Sequence, residues 1–483
     1  MQDNEIIENK ELHIREALLP VIVLVGLLAY NVFIFKDDAL SGSNQFILLI
    51  GGAVAAIVGF RNKVSYETML SEVGNNFKST AGAILILLMV GALAGSWLIS
   101  GIIPSMVYYG LQILHPSFFL PSCVIICAII SIATGSSWTT SATVGIALIG
   151  IGKAMGIPLG MTAGAVISGA YFGDKMSPLS DTTNLAAAMA GSKLFSHIQY
   201  MTLTTVPSII ITLVIFLFMG FTLDVSKAAD SSEIMSVIDN SFNISLALFI
   251  VPAVVIFLIV RKTKPLVALL AGALLGAIFA IIFQPDIVAK VAGGSALDFN
   301  TAYKGVIKAM TEGASIETAN ADINDLFSSG GMAGMLGTIW LIMCAMVFGG
   351  VMDAIGALAR ISQALLSLAN TVFGLFASTV ASCLALNVTA SDQYLAIVVP
   401  GKMFAKAYKD KGLAPENLSR TLEDSGTVTS VLVPWNTCGA YQSGVLGVSV
   451  VEYFVYAIFN YLSPFMTLLF AAFQIKIKQL TEQ

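Results

Sequence analysis

The sequence predicts an all-α polytopic membrane protein made of two inverted repeats of about five transmembrane helices, each with a re-entrant hairpin and a broken helix. Three observations lead to this prediction. Of the 483 residues, 57% are hydrophobic and only 11% are charged, whereas a soluble domain carries roughly a quarter charged residues. Polar strings interrupt the apolar sequence at a few places. The order of spans and polar breaks then occurs a second time along the chain.

The composition also excludes several classes of function. The chain has no basic run that suits nucleic acid, so we expect no nucleic-acid partner. All five cysteines lie in apolar segments without CxxC or metal-ligand spacing, and we interpret them as small core side chains. The polar segment 1–15 lacks the basic region and cleavage site of a signal peptide, so the first apolar segment is expected to remain as a span.

The first repeat is predicted over 16–222. Its expected crossings are 17–35, 45–60, 81–103 and 200–221, because about 20 residues cross ~30 Å of hydrocarbon. Residues 61–78 are expected to form a charged loop. The hairpin 118–155 has arms that are short for a span, joined by the polar string TGSSWTTS, so its tip is expected to lie buried in protein.

The next segment, the broken helix 158–192, contains the string GDKMSPLSDTTN. A helix interrupted at Pro178 exposes amide and carbonyl groups at two half-helix ends. Many carriers build an ion site near the middle of the bilayer in this way. Charged residues tolerated inside hydrocarbon mark such a site by default.

An acidic segment, 223–242, is predicted to be an outer linker between the repeats. The second repeat, 243–474, then shows the same order of features. Its crossings are predicted at 245–260, 265–283, 336–352 and 453–473, its hairpin at 371–408 and its broken helix at 414–451. The long loop 284–335 is expected to be partly amphipathic helix.

The halves align at a constant offset of 256 residues (392 − 136), without a gap. Ser136 corresponds to Asp392 and Pro178 to Pro434. Residue identity between the halves is weak, so chance similarity of two apolar sequences is the alternative. The order of the features favours duplication.

An odd number of crossings in each half predicts that the two halves are inverted. With Met1 inside, both terminal tails (1–15 and 475–483) are cytoplasmic, the basic turn 261–264 lies inside and the acidic linker lies outside, which follows the positive-inside rule. Inverted repeats with paired broken segments predict alternating access around a central site.

Three strings of the sequence resemble the NhaC family of sodium/proton antiporters. They are the residues 135–187, the pentapeptide ASDQY at 390–394 and LEDSGTVTSVLVPWNTCGAY at 422–441. The resemblance implies exchange of Na+ for H+, no cofactor, and a homodimer with a scaffold and a moving transport part in the bacterial inner membrane. A malate/lactate antiporter belongs to the same family, so a small carboxylate is the alternative substrate, with Lys175 and Lys402 as candidate counter-charges.

Asp392, at the tip of the second hairpin, is the first candidate for binding Na+ or a proton. Its alternative role is a structural hydrogen bond to the amides of the half-helix. Asp181 and Asn184 follow the break at Pro178 and can cap a helix as well as bind an ion. For Asp174, a local ion pair with Lys175 is the alternative.

The second broken helix supplies Asp424 as a further acidic candidate. Glu423 beside it is expected to form a surface pair with Arg420, three residues earlier. An intramembrane hydrolase that uses a tip serine is a rival class, but the histidines, His13, His115 and His197, are all expected at interfaces or tails. We therefore expect no enzymatic activity.

Neutral oxygens complete the predicted site, since hard cations prefer oxygen ligands. The candidates are Ser136, Ser137 and Thr140 at the first tip, Asn387 and Thr389 at the second, and Thr427, Asn436 and Thr437 in the second broken helix. We expect Na+ at a subset of Asp392, Ser136, Ser137, Asp181, Asn387 and Asn436. The alternative role of each neutral group is to satisfy backbone groups freed at a break.

Overall fold

The computed structural model describes residues 7–9, 11–35, 42–223, 231–318, 324 and 326–480. Within this part of the chain almost every element is a helix, and the only strands, Ala314–Ser315 (β1) and Ser328–Ser329 (β2), pair antiparallel. The described residues include eight helices that are long and apolar enough to cross a membrane, or nine if one bent pair counts as a span. The predicted fold class, an all-α polytopic membrane protein, is confirmed.

The first half contains two interrupted helical elements. Its helices are α1 (Ile14–Phe35), α2 (Ser43–Arg61), α3 (Tyr66–Ile99), α4 (Ile102–Ile113), α5 (Pro116–Thr134), α6 (Ser137–Thr140), α7 (Ile146–Ala154), α8 (Leu159–Met176), α9 (Asp181–Ala190) and α10 (Leu194–Thr222). A π-helical segment, Ser141–Gly145, joins α6 to α7. Helix α5 and the run α6–α7 are separated at Gly135 and Ser136, and α8 and α9 are separated at 177–180.

The prediction of a charged loop over 61–78 is wrong for most of that segment, because α3 begins at Tyr66. Ser65 caps this helix, and its Oγ accepts a hydrogen bond from the Thr68 amide at 3.1 Å. Such a cap satisfies one of the amides that a helix start leaves unpaired. The polar residues after Ser65 therefore extend the helix beyond the apolar stretch that hydropathy detects.

The predicted linker is described only in part, since residues 224–230 lie outside the described residues. The remainder forms a helix, α11 (Ser231–Ser241), and not a loop. The further helices are α12 (Ile250–Val260), α13 (Pro265–Phe283), α14 (Pro285–Val291), α15 (Phe299–Thr311), α16 (Gly331–Gly334), α17 (Leu336–Ala354), α18 (Ala357–Leu366), α19 (Val372–Thr389), α20 (Gln393–Asp410), α21 (Pro415–Leu422), α22 (Thr437–Leu446), α23 (Val450–Phe454) and α24 (Ile458–Ala472). A π-helical segment, Glu423–Thr427, directly follows α21.

Residues 256 positions apart occupy the same local structures. Ser136 and Asp392 are the N-caps of α6 and α20, and Ser180 and Asn436 are the N-caps of α9 and α22. Positive φ angles also occur in pairs at this offset, namely Gly135 and Ser391 (70° and 59°), Gly156 and Gly412 (69° and 70°), and Gly191 and Gly447 (75° and 66°). The breaks of the two halves therefore share their backbone conformation.

The helices pack as two groups around the breaks. In one group α2 packs against α17 and α3 against α13; in the other, α5 packs along α8, and α19 lies beside α20. The α5–α8 contact is close because α8 carries glycine where the backbones meet. A Cβ atom at Gly169 would lie 2.2 Å from the carbonyl oxygen of Val124. Only glycine allows the backbones to approach to this distance.

Candidate ion-binding site

Hydrogen bonds and ring contacts tie the four helix breaks together. The amide of Thr437, the first residue of α22, donates to the Ser391 carbonyl at the second hairpin tip, over 2.9 Å. The ring of Trp138, beside the first tip, stacks on Tyr441 of α22 with centroids 4.0 Å apart. The Tyr441 hydroxyl also donates to the Trp138 carbonyl at 3.2 Å. Polar residues distant in sequence therefore meet in one region.

Asp392 is buried, with 5% of its surface exposed. Its Oδ1 accepts hydrogen bonds from the amides of Tyr394 (2.8 Å) and Leu395 (3.1 Å), so it caps α20. The Thr437 hydroxyl also interacts with this carboxyl group. Asp392 therefore does cap the helix, which was the alternative role for it. Both amides donate to the same carboxylate oxygen, Oδ1.

Two asparagines join the second hairpin to the second broken helix. Asn436 Nδ2 donates to the carbonyl and to Oδ1 of Asn387, at 3.1 and 3.2 Å. Asn387 Nδ2 in turn donates to the Gly426 carbonyl (2.8 Å) and to Thr429 Oγ1 (3.0 Å). Both asparagines are fully buried. The predicted ligands Asn387 and Asn436 are therefore brought together, next to the Thr437 amide that contacts the hairpin tip.

Asp174 lies in α8, in the first broken helix, and it does not pair with Lys175. Its Oδ2 accepts from the amide (3.0 Å) and from the hydroxyl (2.7 Å) of Ser137, so α8 holds the start of α6. Asp174 Oδ1 is buried and has no hydrogen-bond partner among the described residues. The predicted candidates Asp174 and Ser137 are in direct contact.

Asp181 and Asn184 lie at the start of α9, and both side chains are exposed. The Tyr394 hydroxyl donates to Asp181 Oδ2 at 2.5 Å, which links the first broken helix to the second hairpin. Asn184 donates to the carbonyls of Pro178 (3.0 Å) and Ser180 (2.6 Å), so it closes the turn at the break. The helix cap itself is Ser180, whose Oγ accepts from the Thr183 amide.

Asp424 lies in a separate polar cluster with Lys175. Its Oδ1 accepts from the Lys175 ammonium group and from Ser463 Oγ (3.0 Å), and its Oδ2 accepts from Thr204 Oγ1 (2.8 Å) and from Thr467 Oγ1. Both charged side chains are fully buried. Every oxygen of Asp424 is therefore occupied by donors of α8, α10 and α24, and the carboxylate has a full counter-charge.

The predicted surface pair of Glu423 and Arg420 is wrong. Both side chains are fully buried, and no ion pair joins them within the described residues. The Arg420 guanidinium lies 4.5 Å from the Tyr200 ring centroid, and Glu423 Oε1 accepts from Thr182 Oγ1 at 3.2 Å. Glu423 begins a π-helical segment, so the side-chain spacing of a regular helix does not apply there.

The hydroxyl candidates differ in what they bind. Ser136 Oγ accepts from the Thr139 amide (3.2 Å), and the hydroxyls of Thr140 and Thr389 donate to carbonyls of their own helices. The buried Thr427 hydroxyl interacts with the Glu423 carboxyl group. Thr140 and Thr389 thus serve the backbone, which was the alternative role for each of them.

His197, predicted at a membrane interface, is fully buried inside the protein. Within the described part of the chain neither of its ring nitrogens has a hydrogen-bond partner. His115 caps α5 by accepting from the Ser117 amide. The five cysteines are buried and unpaired with one another, as predicted.

The sequence did not single out several residues of these clusters. They are Thr204, Ser463 and Thr467 around Asp424, Tyr394 on Asp181, and Thr182 on Glu423. A signal existed for two of them, because Ser463 and Thr467 stand four residues apart in the last apolar span and so share a helix face. In the described chain, no group of three or more His, Cys, Asp or Glu side chains is arranged to hold a metal ion.

A cavity of about 690 Å³ lies beside the second broken helix. It lies between α2 and α17 on one side and α22 with the segment 447–452 on the other. Trp435, next to Asn436 in the sequence, is one of its lining residues. Among the described lining residues, Glu452 alone carries a formal charge.

Comparisons with known proteins assign the chain to a family. The sequence pattern of the Na+/H+ antiporter family matches residues 169–475. The chain is 37% identical over 453 residues to the Na(+)/H(+) antiporter NhaC of Alkalihalophilus pseudofirmus, covering 94% of each chain. In Bacillus subtilis, an Na(+)/H(+) antiporter NhaC is 35% identical (84% of this chain, 86% of the relative), and a Malate-2H(+)/Na(+)-lactate antiporter is also 35% identical (95% and 93%). These matches confirm the resemblance seen in the sequence: the chain belongs to the Na+/H+ antiporter family.

Proposed function

We propose that the protein exchanges Na+ for H+ across the bacterial inner membrane at a site centred on Asp392. The position of this carboxylate carries the proposal: it is buried at the tip of the second hairpin, where the broken helix α21–α22 contacts the tip backbone. An ionisable side chain at such a place marks an ion or proton pathway. The names of the relatives, antiporters of Na+ and H+, support the same pair of ions.

The sodium ligands that we propose are oxygens around this carboxylate. Asn387 and Asn436 supply buried amide oxygens beside the tip, and the Ser391 hydroxyl has no hydrogen-bond partner in the described residues. Hard cations bind oxygen ligands of this kind. Ser136, Ser137 and Asp181 border the same region from the first half and are the second group of proposed ligands.

Exchange follows from competition for one carboxylate. A proton and a sodium ion each neutralise Asp392, so binding of one excludes the other. A neutral site crosses hydrocarbon more easily than a charged one, because burial of an uncompensated charge is costly. The carrier therefore returns loaded with either ion and does not return empty.

We also propose the architecture that alternating access requires. The repeats 16–222 and 243–474 are inverted, the tails 1–15 and 475–483 are cytoplasmic, and the linker 223–242 lies outside. The paired caps and positive φ angles at the 256-residue offset support the duplication. Following the family resemblance, we propose a homodimer that moves ions without chemical conversion and without a cofactor.

The test is Asp392→Asn in purified protein reconstituted into liposomes, with an imposed sodium gradient and a pH dye inside. We expect sodium-driven proton flux to disappear, because the amide cannot exchange a proton for sodium. Asp410→Asn, on the exposed end of the same helix α20, is the matched control and should exchange normally. Normal exchange by the Asp392 variant would remove this residue from the mechanism.

A second candidate function is sodium- and proton-coupled exchange of small carboxylates. The observation that favours it is the malate/lactate relative, which matches at the same 35% identity as the sodium/proton relative of the same organism. One structural observation weighs against it: Lys175, a candidate counter-charge for a carboxylate, is bound to Asp424. The same liposomes, assayed with and without malate, distinguish the two functions, because the carboxylate exchanger moves protons only when malate is present.

A further inference from the structure

Glu423 is a buried carboxylate that the proposed sodium site does not use. Its side chain has 0% exposed surface. Oε1 accepts a hydrogen bond from Thr182 Oγ1 at 3.2 Å, and Oε2 has no hydrogen-bond partner among the described residues. Buried carboxylates normally have donors on both oxygens. Oε2 is therefore an open position for a proton.

The local backbone at Glu423 is also unusual. The residue begins the π-helical segment Glu423–Thr427, which lies between α21 and the second break. Segments of this kind occur frequently at functional sites. The Thr427 hydroxyl, at the other end of the segment, is buried and interacts with the Glu423 carboxyl group. The π-helical segment thus places a hydroxyl group beside this carboxyl group.

Two hydroxyl groups connect Glu423 to the break in the first broken helix. Thr182 Oγ1, which contacts Glu423, lies 3.1 Å from Ser180 Oγ. Both residues flank Asp181, whose side chain is exposed and whose Oδ1 accepts from the Thr182 amide. Hydroxyl groups within hydrogen-bond distance of a carboxylate can pass a proton to it. The two hydroxyl groups therefore place Glu423 in hydrogen-bond connection with the break that carries Asp181.

Several neighbouring helices place charged groups near Glu423. Glu423 interacts electrostatically with Asp174 and Lys175 of α8, and Asp424 beside it is already paired with Lys175. Among the other helices near Glu423, α9 carries Asp181 and α21 carries Arg420. Helix α24 has no acidic or basic residue, and the only titratable residue of α19 is Cys383. The charged residues of α20 lie in the second half of the helix, from Lys402 to Asp410. Lys175 is thus paired with Asp424, and Glu423 forms no ion pair with any of the described residues.

We propose that Glu423 binds a second transported proton, separate from the proton that competes with Na+ at Asp392. The proposal rests on the proposed sodium/proton exchange. On one side of the membrane a proton from water binds Glu423 Oε2, and on the other side it returns to water. Glu423 then makes the opposite crossing as a carboxylate while Na+ occupies Asp392. Each cycle therefore exchanges two protons for one sodium ion and moves one net positive charge.

The experiment measures the ratio of protons to sodium in proteoliposomes. At a clamped membrane potential, an imposed sodium gradient is opposed by a pH gradient until net flux stops, and the balance point gives the ratio. We expect two protons per sodium for the wild type and one for Glu423→Gln, whose transport should also lose its dependence on membrane potential. Glu416→Gln, seven residues earlier and paired with Lys478, is the control and should keep the wild-type ratio.

The outcomes separate the two proposals. A wild-type protein without sodium-dependent proton flux contradicts the exchange function itself. A Glu423→Gln variant that exchanges with the wild-type ratio contradicts only the role of Glu423. If that variant fails to fold, proton release on addition of Na+ to wild-type protein in detergent decides the question: two protons released per bound ion support the proposal, and one proton overturns it.

Discussion

Asp424 receives hydrogen bonds from four side chains, one of them the Lys175 ammonium group, whereas Asp392 receives its two amide hydrogen bonds on a single oxygen. A carboxylate offers about four acceptor positions. Those of Asp424 are therefore filled, and those of Asp392 are not. This difference favours a structural role for Asp424, and its role in ion binding stays a prediction.

Lys175→Met is expected to destabilise the protein by about 3–5 kcal/mol, because it leaves the buried Asp424 without its partner. The free energy of unfolding, measured by denaturant titration in detergent, checks this value. Lys193→Met, at an exposed lysine, is the control and should change the free energy of unfolding little.

The double variant Lys175→Met with Asp424→Leu tests the physical reason for that loss. Since a buried ion pair can often be replaced by apolar side chains of similar volume without loss of stability, we expect the double variant to recover most of the unfolding free energy. A double variant as unstable as Lys175→Met alone would show that the cost has another origin.

Sequence reasoning at the residue scale succeeded where the backbone break itself was visible. From the proline at 178 and the polar strings, we predicted that Asp392, Asn387 and Asn436 lie near one another. In the structure the two asparagines are in contact. Glu423 was misplaced because its burial depends on α9, which is distant in the sequence. The π-helical hydrogen bonds after Leu422 leave no signal in the residue types, so side-chain directions there could not be read from spacing.

At the scale of helices, the α5–α8 contact depends on glycine. Gly169→Ala places a methyl group 2.2 Å from the Val124 carbonyl, which belongs to a helix backbone and cannot rotate away. We expect a loss of about 1–3 kcal/mol, the usual cost of overpacking. Thermal unfolding of the purified protein in detergent measures it.

Gly74→Ala is the matched control, with the opposite expected sign. Gly74 lies in α3 and a Cβ atom there meets nothing within 4 Å. Alanine in a helix is more stable than glycine by about 0.5–1 kcal/mol. A stabilised Gly74 variant beside a destabilised Gly169 variant attributes the loss to the α5–α8 contact; equal effects would contradict it.

The extents of helices were less predictable than their order. Helix α19 continues through the polar residues Asn387 and Thr389, so the second break comprises only 390–392. Helix α3 begins well before its apolar part. In both cases polar side chains lie on a helix because capping and packing satisfy them, and hydropathy alone does not detect such residues.

For the whole molecule, the orientation of the repeats gives a direct prediction. Lys193 and Ser449 are 256 residues apart (449 − 193), are the N-caps of α10 and α23, and are at least partly exposed. If the repeats are inverted, Lys193→Cys should react with a membrane-impermeant thiol reagent from the cytoplasmic side and Ser449→Cys from the outside. The native cysteines are buried and give little background. Labelling of both variants from the same side would contradict inversion.

Whole-molecule features were predicted to different degrees. The all-helical membrane fold followed from composition, since 57% hydrophobic residues cannot be hidden in a soluble core of this length. The orientation of the halves stays a prediction, because it rests on loop charges relative to a bilayer and not on a contact inside the protein. The lateral packing of α2 against α17 could not be predicted, since apolar helix faces carry little information about their partners.

The cavity lined by Trp435, about 690 Å³ in volume, is far larger than a bare sodium ion requires. At roughly 30 Å³ per water molecule it has room for on the order of twenty waters. A cation inside it therefore keeps its hydration shell. If ions enter through this cavity, we expect them to lose that shell only beyond it, at the proposed ligands next to the second broken helix. Discrimination among small cations is then expected at those ligands and not in the cavity.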